Sequence, residues 1–280
     1  MSADLPPPYS PSEANDAGEG SSSGAQRDAN PYSLPEYSFK STDGDSLEDD
    51  TDISDTPTTT ELVIEEQNKS IHLEDAWEGD RCRLLTKNGT IGIHNSLKAK
   101  SIEVQTSNGS IHLEGPILAS TRVLAKTNNG RIEVAQLVSD GHCELRSMNG
   151  KIEAQNLQAR HLDVATNNGT ITLEEVTGVQ SVMVESLNAK IDMRVISVTP
   201  HTQLKIKSIN GHITLHMPIT YDGRFSVRTS NAEVTVLPHK MITFETDRKN
   251  EKVGVRGDGV GSSNLTVDTT NAKIDVFFDV

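Results

Sequence analysis

The chain has few aromatic residues, few cysteines, no excess of basic residues and no long apolar run. Aromatic residues make up 4% of its 280 positions, which favours a thin core of aliphatic side chains. The two cysteines, Cys82 and Cys143, give no disulfide framework. No stretch approaches the roughly 20 apolar residues of a membrane span, so we predict no membrane insertion. The formal net charge of −14 argues against nucleic acid as a partner, because phosphate binding needs a basic surface.

The acidic charge is concentrated near the N-terminus. Residues 1–60 carry 13 acidic and two basic side chains, whereas residues 61–280 carry 27 and 24. Such a polar, charged segment cannot bury enough apolar surface to offset its ordering entropy. We therefore predict a disordered acidic Pro/Ser-rich tail over 1–58 and a repeat domain over 59–280. Because the first residues resemble no secretory signal, we expect a cytoplasmic protein, with the cell surface by a non-standard route as the alternative.

The second part of the chain repeats with a period close to 20 residues. An asparagine recurs at spacings of 19 to 22 residues in 11 copies. The next residue is Gly in six copies and Ala in three, and Thr or Ser stands two residues before the asparagine in nine. These asparagines are Asn68, Asn88, Asn108, Asn129, Asn149, Asn168, Asn188, Asn210, Asn231, Asn250 and Asn271.

Apolar residues alternate with polar ones on both sides of each asparagine. This period of two, rich in Val and Ile, predicts half-buried strands and almost no helix. An antiparallel meander with Asn-Gly hairpins is one arrangement, and a parallel β-solenoid with Asn-Gly corners is the other. The constant period and the substitution of Ala for Gly favour the solenoid, because Ala suits a type I′ turn poorly. We predict an all-β fold, a parallel β-solenoid of about 11 rungs of about 20 residues.

In a solenoid, equivalent residues of neighbouring rungs stack roughly 4.8 Å apart. The recurring Asn and Thr/Ser residues should then form continuous hydrogen-bonded files with a structural role. Cys82 and Cys143 stand three rungs apart, too far for a disulfide, and are expected to be buried. The predicted structural ladder comprises Asn88, Asn108, Asn129, Asn149, Asn168, Asn188, Asn210, Asn231 and Asn271.

The repeated Thr/Ser-x-Asn-Gly-x-Ile-x-Val unit resembles the adhesin-type β-repeat domains of unknown function found in bacteria and fungi. The opening Pro6-Pro7-Pro8-Tyr9-Ser10-Pro11 is similar to the Pro/Tyr/Ser-rich acidic tail of the fungal branch. The resemblance covers about 62–280. It implies a solenoid with an adhesin-like binding face and brings no catalytic residues with it.

No group of side chains predicts a catalytic, cofactor or metal site. His142 and His161 face outward on adjacent rungs, but no third ligand accompanies them. The segment 256–258 reads Arg-Gly-Asp, which we interpret as part of a loop rather than an integrin ligand. Acidic residues at equivalent positions should stack in pairs, as the two carboxylates of a glycosidase do, but nearby bases favour salt-bridged surface. The stacked acids are Glu133 with Glu153 and Glu144 with Asp163.

These observations support three functional hypotheses. The first is a non-enzymatic interaction protein whose flat solenoid face binds a protein or a glycan. The second is an adaptor whose tail recruits a WW-domain protein through Pro6, Pro7 and Tyr9, which fit the P-P-x-Y pattern. The third and least favoured is a carbohydrate-active β-helix enzyme. Exposed strands at the two ends of the solenoid also predict end-to-end self-association.

Overall fold

The protein is built from short strands that follow the repeat. A computed structural model describes residues 60–237, 240–258 and 262–280, and these residues contain 20 strands and no helix. Within the same residues there is accordingly no helix capable of crossing a membrane. The strands are β1 (Glu61–Glu66), β2 (Ile71–Leu73), β3 (Trp77–Thr86), β4 (Ile91–Ile93), β5 (Leu97–Gln105), β6 (Ile111–Thr127), β7 (Ile132–Ser147), β8 (Ile152–Ala154), β9 (Leu157–Thr166), β10 (Ile171–Val176), β11 (Val179–Ser186), β12 (Ile191–Val195), β13 (Val198–Ser208), β14 (Ile213–Met217), β15 (Gly223–Thr229), β16 (Val234–Leu237), β17 (Ile242–Arg248), β18 (Glu251–Arg256), β19 (Ser263–Thr269) and β20 (Ile274–Phe278).

Eight copies of the repeat, from Asn68 to Asn210, stack in sequence order. The segments before the corner asparagine lie in β1, β3, β5, β6, β7, β9, β11 and β13, and each pairs in parallel with the next. The segments after it stack likewise, from β2 to β14. The register joins equivalent positions of neighbouring copies, as in Leu84 beside Val104. The predicted parallel β-solenoid is confirmed, with about eight turns in this part.

Alternate residues of each strand point into a narrow aliphatic core. Ile111 and Leu113 are buried on either side of the half-exposed His112, and Val104 is fully buried between two half-exposed neighbours. Burying a side chain of this size stabilises the fold by about 1.5–3 kcal/mol. Stacked aliphatic side chains therefore hold the turns together, and few aromatic residues are needed.

The last three copies depart from sequence order, which corrects the prediction of about 11 successive rungs. The Asn271 copy (β19 and β20) pairs with the Asn210 copy on one side. On its other side it pairs with the Asn231 copy (β15 and β16), which precedes it in the chain. The Asn250 copy forms no rung, because Asn250 lies in the turn between β17 and β18, which form an antiparallel hairpin beside β15.

The swap also buries the C-terminal strand, which the sequence placed at an exposed end. β20 lies between β14 and β16, and Phe278 is fully buried beneath the guanidinium of Arg256, 4.8 Å from the ring centroid. At the other end β1 pairs with β3 alone among the described strands, and Val63 is exposed there. End-to-end self-association therefore stays a prediction for the β1 end.

Candidate functional site

The corner asparagines lie in one continuous file along the solenoid. Each member of the file after Asn68 donates from Nδ2 to the Oδ1 of the asparagine one rung nearer the β1 end, as Asn149 does to Asn129 at 2.8 Å. Ten asparagines take part, and nine such bonds join them over 2.6–2.8 Å. All nine asparagines of the predicted ladder belong to this file, and so does Asn68. The hydrogen bonds between the corner asparagines therefore all run in the same direction along the solenoid.

The Thr/Ser file has different chemistry from the one predicted. Among the described residues, its hydroxyls are not bonded to one another; seven of the nine donate to a backbone carbonyl of the adjacent turn. Thr106 Oγ1 donates to the carbonyl of Gly89 at 2.9 Å and accepts from the N–H of Gly109 at 3.2 Å. A Cβ on Gly109 would lie 1.8 Å from the oxygen of Gly89, and corner glycines are not among the described residues with positive φ. The close approach of the turns therefore favours Gly at the corner, although Ala occupies the same position in three copies.

A large concavity runs beside this corner and is here called the rung groove. It encloses about 870 Å³ and crosses the rungs from Arg146 to the hairpin residue Glu251. Its wall consists of the residues that immediately precede the corner asparagines, among them Leu187 and Ile209. These two side chains lie on adjacent rungs and are 42% and 44% exposed, so the groove offers apolar surface to a ligand.

The floor of the rung groove is a file of charges that alternate in sign. Glu185 lies beside Lys207, Lys207 beside Asp268, and Asp268 beside Arg228. Arg228 then pairs with Glu251, with 2.8 Å between Nε and Oε1. Opposite charges on neighbouring strands stabilise the sheet. Together with the wall, this floor gives a groove with both apolar contacts and alternating charge.

The stacked carboxylates are ion-paired rather than poised for acid catalysis. Register places Glu133 beside Glu153 and Glu144 beside Asp163, as expected. The hydrogen bond from Arg131 is the main cause of a lowered pKa at Glu133. Burial alone would raise the pKa of Glu144, but its arginine partners outweigh burial and lower that pKa. A glycosidase acid needs a raised pKa, so these carboxylates suit a surface role.

The two cysteines occupy the core. Cys82 and Cys143 are both free and fully buried, and the register places two rungs between theirs. Burial raises the pKa of each thiol to about 12. They therefore act as small apolar side chains and not as nucleophiles.

Two other motifs of the sequence are the Arg-Gly-Asp segment and the P-P-x-Y pattern of the tail. Arg256 of the Arg-Gly-Asp segment is buried, and its guanidinium donates to the carbonyl oxygens of Ile219 and Tyr221 at 2.6 and 2.8 Å. It is therefore not available as part of an integrin ligand. The tail motif of Pro6, Pro7 and Tyr9 lies outside the described residues.

The histidines that converge with a carboxylate are not the pair that the repeat indicated. His142 and His161 are in register and exposed. Instead, His72, Glu74 and His94 place one ligand atom each within 4.8 Å of the others. These three residues are hard to recognise as a group in the sequence, because they occupy two different positions of the repeat, two residues apart.

Comparison with known proteins gives a family but no individual relative. No curated protein and no solved structure was found to match the chain. The Toastrack DUF4097 family model matches residues 40–276, which includes the whole solenoid up to β20. The match begins within the predicted tail. Because it spans most of the chain, the protein belongs to the Toastrack DUF4097 family, whose β-solenoid-like domain has no assigned function.

Proposed function

We propose that this protein is a non-enzymatic interaction protein that binds an extended polypeptide segment in the rung groove. The observation that carries the proposal is the combination of two exposed apolar side chains on the wall with a floor that crosses seven neighbouring strands. The charges of this floor alternate in sign over five of those strands, from Glu185 to Glu251. Six strand spacings span about 29 Å, which accommodates an extended segment of about nine residues.

The chemistry of the groove favours a peptide over a glycan. Leu187 and Ile209 provide aliphatic contacts, and the described residues that line the groove include no aromatic side chain on which a sugar ring could stack. The charges of the floor are spaced by one strand separation, so charged side chains of a bound segment could pair with them. The adhesin-type function suggested by the sequence resemblance would instead require glycan binding.

The test is selection of a displayed random-peptide library on the full-length protein. Selected peptides should lose affinity by about tenfold or more for Leu187→Arg, because the substitution places a charge against the apolar wall. Ile219→Arg is the matched control, since Ile219 is 61% exposed and does not line the groove. The proposal fails if no peptide is enriched, or if selected peptides bind wild type and Leu187→Arg equally. Glycan-array binding in place of peptide binding would favour the adhesin-type function.

A second candidate function rests on the tail. Pro6-Pro7-Pro8-Tyr9 matches a pattern that binds WW-domain grooves as polyproline II helix. We infer that the tail could recruit a WW-domain protein in the cytoplasm while the solenoid binds another partner. Tyr9→Ala should abolish pull-down of WW domains and leave groove binding unchanged. Retained WW binding by Tyr9→Ala would refute the adaptor hypothesis, and cell fractionation would test the cytoplasmic location.

A further inference from the structure

A group of imidazole and carboxylate side chains lies on the first two turns, away from the rung groove. His72 belongs to β2, Glu74 follows that strand, and His94 follows β4, the equivalent strand of the next turn. A backbone bond from His94 N to Leu73 O, 3.0 Å long, holds the two turns in register at this point. Because side chains two residues apart in a strand share a face, all three side chains project from the same side.

The imidazole of His94 is oriented by a carboxylate on its far side. Its Nδ1 lies 2.8 Å from Oε2 of Glu114, which stands at the equivalent position one turn further on. A neutral His94 that donates from Nδ1 to Glu114 leaves the lone pair of Nε2 free. A carboxylate that holds a histidine in this tautomer is a recurring second partner of zinc ligands. Nε2 is also the atom that faces His72 and Glu74.

The remaining distances suit one metal ion. Nε2 of His94 lies 3.4 Å from Nδ1 of His72 and 3.8 Å from Oε1 of Glu74. Two donors each about 2.05 Å from a tetrahedral Zn²⁺ are separated by about 3.3 Å. The two imidazole rings are stacked at 8°, but both residues are exposed, so rotation about χ2 can turn both lone pairs toward one ion.

Gly92 leaves the space in which the two rings converge. It is directly in register with His72 and stands two residues before His94. A Cβ at Gly92 would lie 2.9 Å from His72 Nδ1 and 2.9 Å from His94 Nε2. The missing side chain of Gly92 therefore leaves a methyl-sized space beside both donor atoms. Most copies carry a larger residue at the position equivalent to Gly92.

We propose that His72, Glu74 and His94 form a Zn²⁺ site that joins the first two turns of the solenoid. Two imidazoles and one carboxylate are a donor set that Zn²⁺ favours, and the exposed side of the site leaves the fourth position to water. Glu114 is a positioning residue that acts through His94. The ion would cross-link the turns next to the open β1 edge and so stabilise the end of the solenoid that lacks a described neighbour.

The test uses the tag-free full-length protein, stripped of metal with a chelator. Titration with ZnCl₂ in a calorimeter should give one strong site per chain, and CoCl₂ should give the visible spectrum of a tetrahedral site. His94→Ala should abolish this site, and Glu114→Gln should weaken it by about 10–100-fold. His161→Ala is the matched control and should bind as wild type does. The buried cysteines are not expected to compete.

Gly92→Ala distinguishes the proposed Zn²⁺ site from nonspecific binding of Zn²⁺ to surface histidines. The added methyl meets only the ends of two flexible side chains, so the circular dichroism spectrum should stay unchanged while Zn²⁺ affinity falls by at least about tenfold. Zn²⁺ should also raise the Tm of wild type and not that of Gly92→Ala. The proposal is overturned if wild type binds no stoichiometric Zn²⁺, or if His94→Ala or folded Gly92→Ala binds it as tightly as His161→Ala does.

Discussion

The asparagine file has a direction, and this direction makes a substitution of Asn by Asp depend on its place in the file. Asn149 donates from Nδ2 to Asn129 and accepts at Oδ1 from Asn168, both at 2.8 Å. In Asn149→Asp the carboxylate can still accept from Asn168, but it cannot donate to Asn129. Two acceptor oxygens would then face each other. Asn68 stands at the end of the file and only accepts there, from Asn88 at 2.6 Å, so Asn68→Asp conserves its bond.

The expected cost of Asn149→Asp follows from these contacts. One net hydrogen bond contributes about 1 kcal/mol, and the opposed oxygens add to the loss. Both side chains are exposed, so water relieves part of the conflict. We expect the free energy of unfolding to fall by about 1–2 kcal/mol and the Tm by about 2–8 °C. A carboxylate is a strong acceptor, so Asn68→Asp should change stability by no more than about 0.5 kcal/mol.

The assay is equilibrium unfolding in urea, followed by far-UV circular dichroism and by the fluorescence of Trp77. Trp77 is the single tryptophan and lies in β3, near the N-terminal end, so the two probes report different parts of the solenoid. Agreement between them is needed for a two-state analysis of a repeat protein. Equal destabilisation by Asn149→Asp and Asn68→Asp would refute the directional file, and so would an Asn149→Asp protein as stable as wild type.

Three further predictions concern the corner, the core and the charges. Gly130→Ala should lower the Tm, because its Cβ would lie 1.8 Å from the carbonyl oxygen of Gly109 and the backbone of the adjacent turn would have to shift; an unchanged melting curve would contradict this. Cys82 and Cys143, with pKa values raised to about 12 by burial, should resist iodoacetamide in the native protein and react in urea, as mass spectrometry would show. Glu144 has a lowered folded pKa because its arginine partners outweigh burial, so its stabilising effect is present above the ordinary value of 4.5 and is lost as pH falls. Glu144→Gln should therefore reduce the dependence of stability on pH below that value, and unfolding curves at several acidic pH values would test it.

Much of the fold follows from the repeat itself. The period of two around each asparagine predicted the strands, and the constant spacing predicted that equivalent residues stack in parallel. The substitution of Ala at position 189 indicated a corner limited by space rather than by positive φ. In the structure Ala189 N donates to Ser186 Oγ at 3.1 Å, the bond that Gly makes in other copies. Features shared by every copy were thus visible in the sequence.

Features that depend on differences between copies were not predicted. The charges of the rung groove come from copies of the repeat that are neighbours in the solenoid. Which copies are neighbours depends on the order of the rungs, and the repeat does not predict that order. The convergence of His72 and His94 depends on Gly92, which has no side chain to fill the space beside the two rings. The hydrogen-bond partner of the Thr106 hydroxyl could not be predicted either. Hydroxyls that bond one another and hydroxyls that bond backbone carbonyls recur with the same spacing in the sequence.

The exchanged order of the last rungs agrees with one such difference between copies. Every copy offers the same asparagine, so the file is continuous whether the Asn231 copy or the Asn271 copy follows Asn210. The charges are not equivalent: stacking in sequence order would place Arg228 directly beside Lys207, whereas the observed order places Asp268 between them. Like charges on neighbouring strands repel and opposite charges attract, so the observed order is electrostatically favoured. The alternating floor of the rung groove is therefore a direct consequence of the order in which the chain closes its solenoid.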